Sequence, residues 1–204
     1  MTRKIFFAHT QNMGVTFYRF INVAKYMRQV KGVEVAYSKF SPYDSEVTGW
    51  QDKLEDPIVL NRFDVLFTNT DITVMGYVIA PRAIALIQAA QEHYKKCILM
   101  EIDDYVINLP GYNVASNVMK PGSHAEWMVL KQLNVSDGLI VSTPYLQEIY
   151  GKFNKNIDIV RNGLDFDGIW DKLERPKHND GKVRVGFAGS PNHSGDIRMI
   201  RNVI

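Results

Sequence analysis

The stretch CILMEIDD (residues 97–104) decides the fold class of this chain. Its first part, from Cys97 to Ile102, is an apolar run broken only by Glu101. Such a run is typical of a strand that is covered on both faces, as in a parallel sheet. Parallel strands need crossover connections, which are usually helices, so the stretch predicts an α/β protein.

On both sides of this strand, short β-rich runs alternate with stretches of helical periodicity. Further strands are predicted for KIFFAH (4–9), VEVAYS (33–38), DVLFTN (64–69), GLIVST (138–143) and IDIVRN (157–162). Helices are predicted for residues 15–29, 81–95 and 125–133, and from Pro144 onward. The alternation predicts a Rossmann-like parallel sheet flanked by helices.

The sequence also indicates where one domain ends and another begins. Residues 168–182 are charged, contain Pro176 and show little periodicity, which is typical of a linker. The run VRVGFAG (183–189) then restarts the strand pattern, and a helix is expected near Asp196. We therefore expect a first domain over 1–167, a linker over 168–182 and the first βα unit of a truncated second Rossmann-like domain over 183–204.

Length, charge and cysteine content narrow the classes of function. The 204 residues suffice for a sizeable core, and a net charge of +2 with scattered Lys and Arg argues against a dedicated nucleic-acid groove. Cys97 is the single cysteine, so no intramolecular disulfide is expected. No apolar run reaches the ~18 residues of a membrane span, and the amino terminus has no signal-peptide core. The expected location is the cytoplasm. A peripheral membrane position stays open, although Lys152, Phe153 and Lys155 are too few for a basic amphipathic helix.

In parallel sheets, ligands bind at the carboxyl ends of the strands, so the loops after the predicted strands are the candidate sites. In the first of these loops, Gly14 precedes a helix whose amino-terminal amides favour an anion, and Arg19 follows one turn later. An ordinary turn glycine is the alternative interpretation.

Three acids crowd the end of the central strand in EIDDYVINLP (101–110). Burying Glu101, Asp103 and Asp104 would be costly unless they are paired or reach a cleft. They could accept sugar hydroxyls, act as a general base or hold a divalent ion, the last being the poorest of the three because further ligands are missing nearby. Because Asp103 and Asp104 are adjacent, we expect at most one of them to face the same ligand as Glu101. A helix cap or a loop salt bridge is the structural alternative.

The segment GFAGSPNHSGD (186–196) has the order of strand, small-residue loop and helix that suits phosphate binding by backbone amides. His193 could contact a phosphate or a sugar hydroxyl there. Simple exposure of a loop histidine is the alternative.

Taken in order, these pieces resemble the GT-B glycosyltransferases, specifically the retaining, nucleotide-sugar-using, family 4-like group. The similar segments are GVTFYRF (14–20), EIDDYVINLP (101–110), the run from DGLIVSTPYL to RNGLD (137–165) and VRVGFAGSPNHSGD (183–196). The first three look like parts of the amino-terminal, acceptor-side domain of that group. The last looks like the start of its donor-binding domain, and the resemblance covers nearly the whole chain.

The resemblance implies a transferase that moves a sugar from a nucleotide diphosphate sugar to an acceptor hydroxyl, with retention of configuration. It implies no metal and no separate cofactor, because amides and basic side chains stabilise the leaving diphosphate in such enzymes. The implied catalytic residues are Asp103 and Asp104. The implied acceptor or substrate contacts are Asn12, Met13, Gly14, Arg19 and Glu101, and the implied donor-phosphate contacts are Gly189, Ser190, Asn192 and His193.

The sequence departs from the family pattern in three places. The donor domain of these enzymes carries two glutamates separated by seven residues, and no pair here has that spacing. Ser190 and His193 stand in the region where many relatives have Arg and Lys for the diphosphate. Asp103 and Asp104 follow the strand after which many relatives have a histidine. The resemblance therefore implies that the donor domain is mostly absent and that this chain alone is not a competent transferase.

Several alternatives stay open from the sequence. The chain could be a non-catalytic saccharide- or nucleotide-binding module, or one subunit of a split transferase whose donor domain comes from a separate chain. A GT-B-type sugar-nucleotide epimerase is a third alternative. The implied partners are a nucleotide sugar and a saccharide or other hydroxyl acceptor, and the near-neutral charge gives no support to a nucleic acid.

Overall fold

A computed structural model of the chain describes residues 2–8, 14–37, 67–168, 170–174, 180–184, 186 and 193–201. It divides into two compact units. The first comprises residues 1–105 and 127–163, and the second comprises residues 106–126 and 164–204. The predicted boundaries at 167 and 182 stay a prediction.

The first unit is built on a parallel sheet of six strands in the order β2-β1-β3-β4-β5-β6. The strands are β1 (Arg3–Ala8), β2 (Val33–Tyr37), β3 (Ile72–Gly76), β4 (Cys97–Ile102), β5 (Gly138–Val141) and β6 (Ile157–Ile159). The chain moves from β1 outward to β2 and then returns past β1 to β3, so the strand order reverses between β1 and β3. In open α/β sheets such a reversal leaves a crevice at the carboxyl ends of the two strands, where ligands bind.

Helices flank this sheet, as the sequence predicted. The first helix, α1, runs over residues 14–27 and consists of Gly14–Thr16, a π-helical segment Phe17–Ile21, and Asn22–Met27. The others are α2 (Pro81–Glu92), α3 (His124–Val135), α4 (Pro144–Tyr150) and α5 (Ser194–Ile200). The α/β class and the helical flanks are thereby confirmed, and the arrangement is consistent with a Rossmann-like fold.

The alternation of side chains along β4 shows how differently the two sheet faces are covered. Ile98, Met100 and Ile102 are at most 1% exposed. The side chains of Leu99 and Glu101 point to the opposite face, because successive side chains of a strand alternate. There Phe20 and Ala24 of α1 pack with sheet residues, and Leu99 is only partly buried.

One predicted strand is wrong. The stretch DVLFTN (64–69) was expected to be the third strand, but residues 67–69 are helical and residues 64–66 lie outside the described part. Phe67 is buried and its ring lies 5.7 Å from that of Tyr94. The strand is formed instead by Ile72–Gly76, which pairs with β1 on one side and β4 on the other. Pairing partners, rather than apolar content, decide which of the two neighbouring runs becomes the strand.

Among the described residues, the second unit contains the 3-10 turns Val114–Asn117 and Trp170–Lys172 and helix α5. The predicted strand VRVGFAG is not formed at Val183, Arg184 or Gly186, and its other residues lie outside the described part. Val183 is 91% exposed, and none of the described strands pairs with this stretch, whereas a strand is stable only beside a partner. The helix expected near Asp196 is confirmed, and its apolar Met199 is exposed.

Candidate functional site

Polar side chains converge at the carboxyl edge of β3 and β4, next to the strand reversal. Tyr77 follows β3, Glu101 lies near the end of β4, and Asp103 and Asp104 follow β4. Gly76 and Glu101 are paired in register, so the two strand ends are neighbours. This group of four residues is called the carboxyl-edge cluster below.

Arg19 of α1 forms a buried ion pair with Glu101. The Nε atom of Arg19 donates to Oε1 of Glu101 over 2.5 Å, and the two side chains are 2% and 4% exposed. The Nη1 atom of Arg19 also donates to the carbonyl oxygen of Val160 and, at 3.2 Å, to Oδ1 of Asn162. The guanidinium therefore joins α1 to the carboxyl ends of β4 and β6. Its planar set of donors is suited to such multiple contacts.

The local sequence explains why these two residues meet. Glu101 lies on the face of β4 that α1 covers, because the strongly apolar Ile98, Met100 and Ile102 take the other face. Arg19 lies in the π-helical segment of α1, next to Phe20, whose ring packs edge-on against Phe7 of β1 at 6.2 Å. The aromatic contact fixes the helix on the sheet, and the guanidinium is thereby carried to the end of β4.

A cavity of about 230 Å³ lies between α1 and this sheet face. Its lining is apolar apart from Arg19 and Glu101; the other side chains are Ile5, Phe7, Val23, Met27, Ile72, Val74, Leu99, Ile140 and Val160. The buried ion pair thus stands at the polar end of an otherwise apolar space. The low dielectric there strengthens the attraction within the pair and raises the cost of leaving either charge alone.

The loop that carries the two aspartates is held from the neighbouring strand and helix. Ser142, directly after β5, donates through Oγ to the carbonyl oxygen of Asp103 over 3.2 Å. Tyr150 of α4, which is fully buried, donates its hydroxyl to the carbonyl oxygen of Asp104 over 2.8 Å. Asp103 is half-buried and Asp104 is exposed. The loop backbone is therefore fixed, while the Asp104 carboxylate faces solvent.

Burial and mutual repulsion shift the acid–base properties of the cluster. Desolvation raises the pKa of Glu101 to about 7; Arg19 opposes this shift, and the charges of Asp103 and Asp104 add to it. The pKa of Asp103 is also raised, chiefly by burial and then by Asp104, with Arg19 acting against it. Burial and the three carboxylates together raise the pKa of Tyr77 to about 12. The hydroxyl of Tyr77 therefore keeps its proton near neutral pH, and Asp103 is a stronger base than an ordinary aspartate.

The backbone just beyond Tyr77 is clamped by a buried amide. Gln132 of α3 is fully buried; its Oε1 accepts from the Val78 amide over 3.2 Å and its Nε2 donates to the Val78 carbonyl oxygen over 2.6 Å. The same Nε2 also donates to the carbonyl oxygen of Met128 at 2.9 Å. Both polar groups of Val78 are thus satisfied, and the loop after β3 is fixed to α3.

The structure places the predicted site residues in different parts of the molecule. It brings Arg19, Glu101, Asp103 and Asp104 together in the first unit. Gly14 is exposed at the start of α1. Asn12, Met13, Gly189, Ser190 and Asn192 lie outside the described residues.

His193 belongs to the second unit, where it directly precedes α5. Its Nδ1 lies 2.8 Å from Oδ2 of Asp196, and both side chains are about half exposed (55% and 50%). Asp196 also accepts from the hydroxyl of Tyr112 at 3.4 Å. The predicted donor-phosphate role of His193 stays a prediction, and in this structure the imidazole is oriented by a carboxylate of its own helix.

Sequence reasoning missed Tyr77, Ser142 and Tyr150. Tyr77 was overlooked because the third strand was placed at 64–69, so the loop after Asn69 was read in place of the loop after Gly76. The β-branched run ITVMG directly before Tyr77 is the signal that could have found it. Ser142 and Tyr150 act through side-chain contacts to backbone that is 39 and 46 residues away, for which the sequence carries no local signal.

The cluster offers hydrogen-bond acceptors, a strengthened base and a protonated phenol to a ligand. Within the described part of the chain, no three His, Cys, Asp or Glu side chains are grouped so that they could hold a metal ion. Among the described helices, none has both the length and the apolar character needed to cross a bilayer.

Comparison of the sequence with protein-family models found no match, and neither the curated proteins nor the solved structures contain a match. The assignment of a function to this chain therefore rests on the geometry of the carboxyl-edge cluster and on the motif resemblance.

Proposed function

We propose that this chain provides the acceptor side of a retaining glycosyltransferase that uses a nucleotide diphosphate sugar. The observation that supports the proposal best is the convergence of Tyr77, Asp103 and Asp104 beside the strand reversal of a parallel sheet. Crevices at such reversals are ligand sites in open α/β sheets. The order of the four GT-B-like segments along the chain supports the same assignment.

In this proposal the exposed carboxylate of Asp104 accepts hydrogen bonds from sugar hydroxyls. Asp103 is the candidate general base, because its raised pKa makes it better matched to a hydroxyl proton than an ordinary aspartate. The protonated hydroxyl of Tyr77 donates to a ring or hydroxyl oxygen. Glu101 and Arg19 neutralise each other beneath these groups and fix the floor of the site.

The donor diphosphate would bind apart from the acids, because like charges repel. The candidate donor contacts are the loop residues Gly189, Ser190, Asn192 and His193. Their backbone amides would supply the positive partial charge that a leaving diphosphate needs.

The test is saccharide binding and sugar transfer by the chain and its acid variants. Ligand-observed NMR with a panel of methyl glycosides, and product analysis after incubation with UDP-, GDP- and ADP-sugars, should show saccharide binding that Asp103→Asn and Asp104→Asn weaken together. Glu34→Gln, at an exposed position of β2, is the matched control. Saccharide binding without transfer would favour the non-catalytic module. The absence of saccharide binding, or binding that is the same in the double aspartate variant, would contradict the proposal.

A further inference from the structure

Two tyrosines form an aromatic pair above the ends of β4 and β5. Tyr105 follows Asp104 directly, and Tyr145 lies in the first turn of α4, which follows β5. Their ring centroids are 6.2 Å apart with an interplanar angle of 53°. Tyr145 is 60% exposed, and Tyr105 is partly exposed. The pair therefore presents aromatic surface to solvent, and Tyr105 directly follows the exposed Asp104 in the chain.

The pair of Tyr105 and Tyr145, called the platform below, is held in place although its surface is exposed. The loop that carries Tyr105 is held by two buried side chains, because Tyr150 fixes the backbone at Asp104 and Ser142 fixes the backbone at Asp103. Thr143, directly before α4, accepts from the amide of Leu146 over 3.2 Å and so caps the helix that carries Tyr145. An aromatic surface that is fixed in advance binds with little loss of conformational entropy.

The charge around the platform decides which ligand suits it. A nucleobase could stack on these rings, because every base has an aromatic face. A nucleotide, however, would carry its phosphates next to Asp103 and Asp104, where repulsion disfavours them. A neutral pyranose has an apolar face of C–H bonds that packs on an aromatic ring, and equatorial hydroxyls that donate to carboxylates. The acids therefore favour the sugar over the nucleotide.

We propose that Tyr105 and Tyr145 form a stacking subsite for a neutral pyranoside, with Asp104 accepting its hydroxyl hydrogens. This inference rests on the proposed function and specifies its acceptor: an uncharged sugar unit whose apolar face lies on the tyrosine pair. Tyr145 is the specificity-determining residue of the subsite, because it exposes the larger part of its ring.

The experiment compares Tyr145→Ala, Tyr145→Phe and wild type for binding of methyl glycosides of glucose, galactose, mannose and N-acetylglucosamine, with UMP and ADP as anionic probes. Saturation-transfer NMR shows which face of the sugar contacts the protein, and titration gives Kd. Loss of the ring in Tyr145→Ala should raise Kd about 3- to 10-fold, as expected for an aromatic contact. Tyr145→Phe keeps the ring and should bind within about 2-fold of wild type. Tyr26→Ala, at an exposed tyrosine of α1, is the matched control and should not change Kd.

The outcomes separate this inference from the proposed function. Saccharide binding that weakens in Asp103→Asn but is equal in wild type and Tyr145→Ala would overturn the stacking subsite and leave the proposed function standing. Binding that depends on Tyr145 but not on the two aspartates would support stacking on the tyrosines, but it would contradict both the hydroxyl contact to Asp104 and the proposed function. Preferential binding of UMP or ADP by the tyrosine pair, or no binding of any methyl glycoside, would overturn the subsite.

Discussion

Arg19 and Glu101 are 82 residues apart in the chain, yet their side chains form a buried ion pair with an Nε–Oε1 distance of 2.5 Å. The pair connects the helix after the first strand to the end of the central strand. The positive charge of Arg19 also lowers the pKa of Asp103, against the effects of burial and of Asp104. The arginine of the pair therefore lowers the cost of burying Glu101 and Asp103 at this sheet edge.

Removing the arginine should destabilise the protein strongly. In Arg19→Met the buried carboxyl group of Glu101 loses its partner, and at a pH where that group is ionised we expect the free energy of unfolding to fall by about 3–5 kcal/mol. The double variant Arg19→Met/Glu101→Leu removes both charges and should recover most of that loss. Urea denaturation followed by circular dichroism measures each value.

Arg28→Met is the matched control for the arginine variant. Arg28 lies directly after α1, is exposed and donates to the carbonyl oxygen of Val35 at 3.0 Å. Its loss should cost at most about 1 kcal/mol. Equal destabilisation by Arg19→Met and Arg28→Met would contradict the expectation that the buried ion pair makes Arg19 more important for stability than an exposed arginine.

Glu101 should make stability depend on pH between about 4.5 and about 7. Because burial raises the pKa of Glu101 from 4.5 to about 7, the folded protein holds a proton there that the unfolded chain releases. This contribution to stability is present below pH 4.5 and is lost as the pH rises to about 7. Glu101→Gln has no such proton, so its stability relative to wild type should rise across the window. The difference in the free energy of unfolding between the two proteins should change by at most about 1.4 kcal/mol per pH unit.

The measurement is the unfolding free energy of both proteins at half-unit pH intervals. Glu34→Gln, which removes a carboxylate from the exposed side of β2, controls for the loss of one negative charge. If the wild-type and Glu101→Gln curves run parallel from pH 4.5 to 7, Glu101 does not titrate there and the expectation is wrong.

The fold class could be predicted from the sequence because periodicity reports burial. The run from Cys97 to Ile102 is apolar at every position except Glu101, and α2 shows its buried stripe as Ala83, Ile87 and Ala90. The third strand could not be placed, because residues 64–69 and 72–76 are both short apolar runs. The choice between them depends on pairing with β1 and β4, which no local pattern encodes.

The candidate site could be predicted only in part, for the same reason. Acids at the end of a buried strand are visible in the sequence, so Asp103 and Asp104 were identified. The partner of Glu101 was not, because Arg19 was interpreted as an anion-binding residue and nothing near it in sequence indicates a carboxylate 82 residues away. That at most one aspartate faces a common ligand with Glu101 stays a prediction; the charges of both aspartates raise the pKa of Glu101.

Replacing the buried amide of Gln132 should loosen the loop after β3. Gln132→Leu leaves both the amide and the carbonyl group of Val78 without a partner, and each unsatisfied buried group costs about 1–3 kcal/mol. Unfolding by urea should therefore show a loss of about 2–4 kcal/mol, and hydrogen exchange of the Val78 amide should accelerate. Gln91→Leu, which removes a half-buried contact to the Val135 carbonyl, is the control and should cost less. Unchanged exchange at Val78 would contradict the clamp.

Removing the hydroxyl of Tyr150 should weaken the aspartate loop without disturbing its core packing. Tyr150→Phe keeps the buried ring and loses the 2.8 Å hydrogen bond to the Asp104 carbonyl oxygen, at a cost of about 1 kcal/mol. Thermal unfolding measures the loss, and backbone amide NMR shifts should change at Asp104 and Tyr105. Tyr145→Phe removes a hydroxyl from an exposed ring of the same helix and should leave stability unchanged. Shifts confined to the surroundings of residue 150 would mean that this hydroxyl does not position the loop.

Thr73 should be a position where a substitution stabilises the protein. Its side chain is 1% exposed, and its Oγ1 has no hydrogen-bond partner among the described residues. Thr73→Val keeps the β-branched shape that favours a strand and removes the unpaired hydroxyl, so we expect a gain of about 1 kcal/mol in the free energy of unfolding. Thr143→Val is the control, and it should lower the free energy of unfolding by about 1 kcal/mol. The reason is that Oγ1 of Thr143 caps α4 by accepting from the Leu146 amide, and valine has no such acceptor. Urea denaturation distinguishes the two, and destabilisation by Thr73→Val would mean that its hydroxyl is hydrogen-bonded in solution.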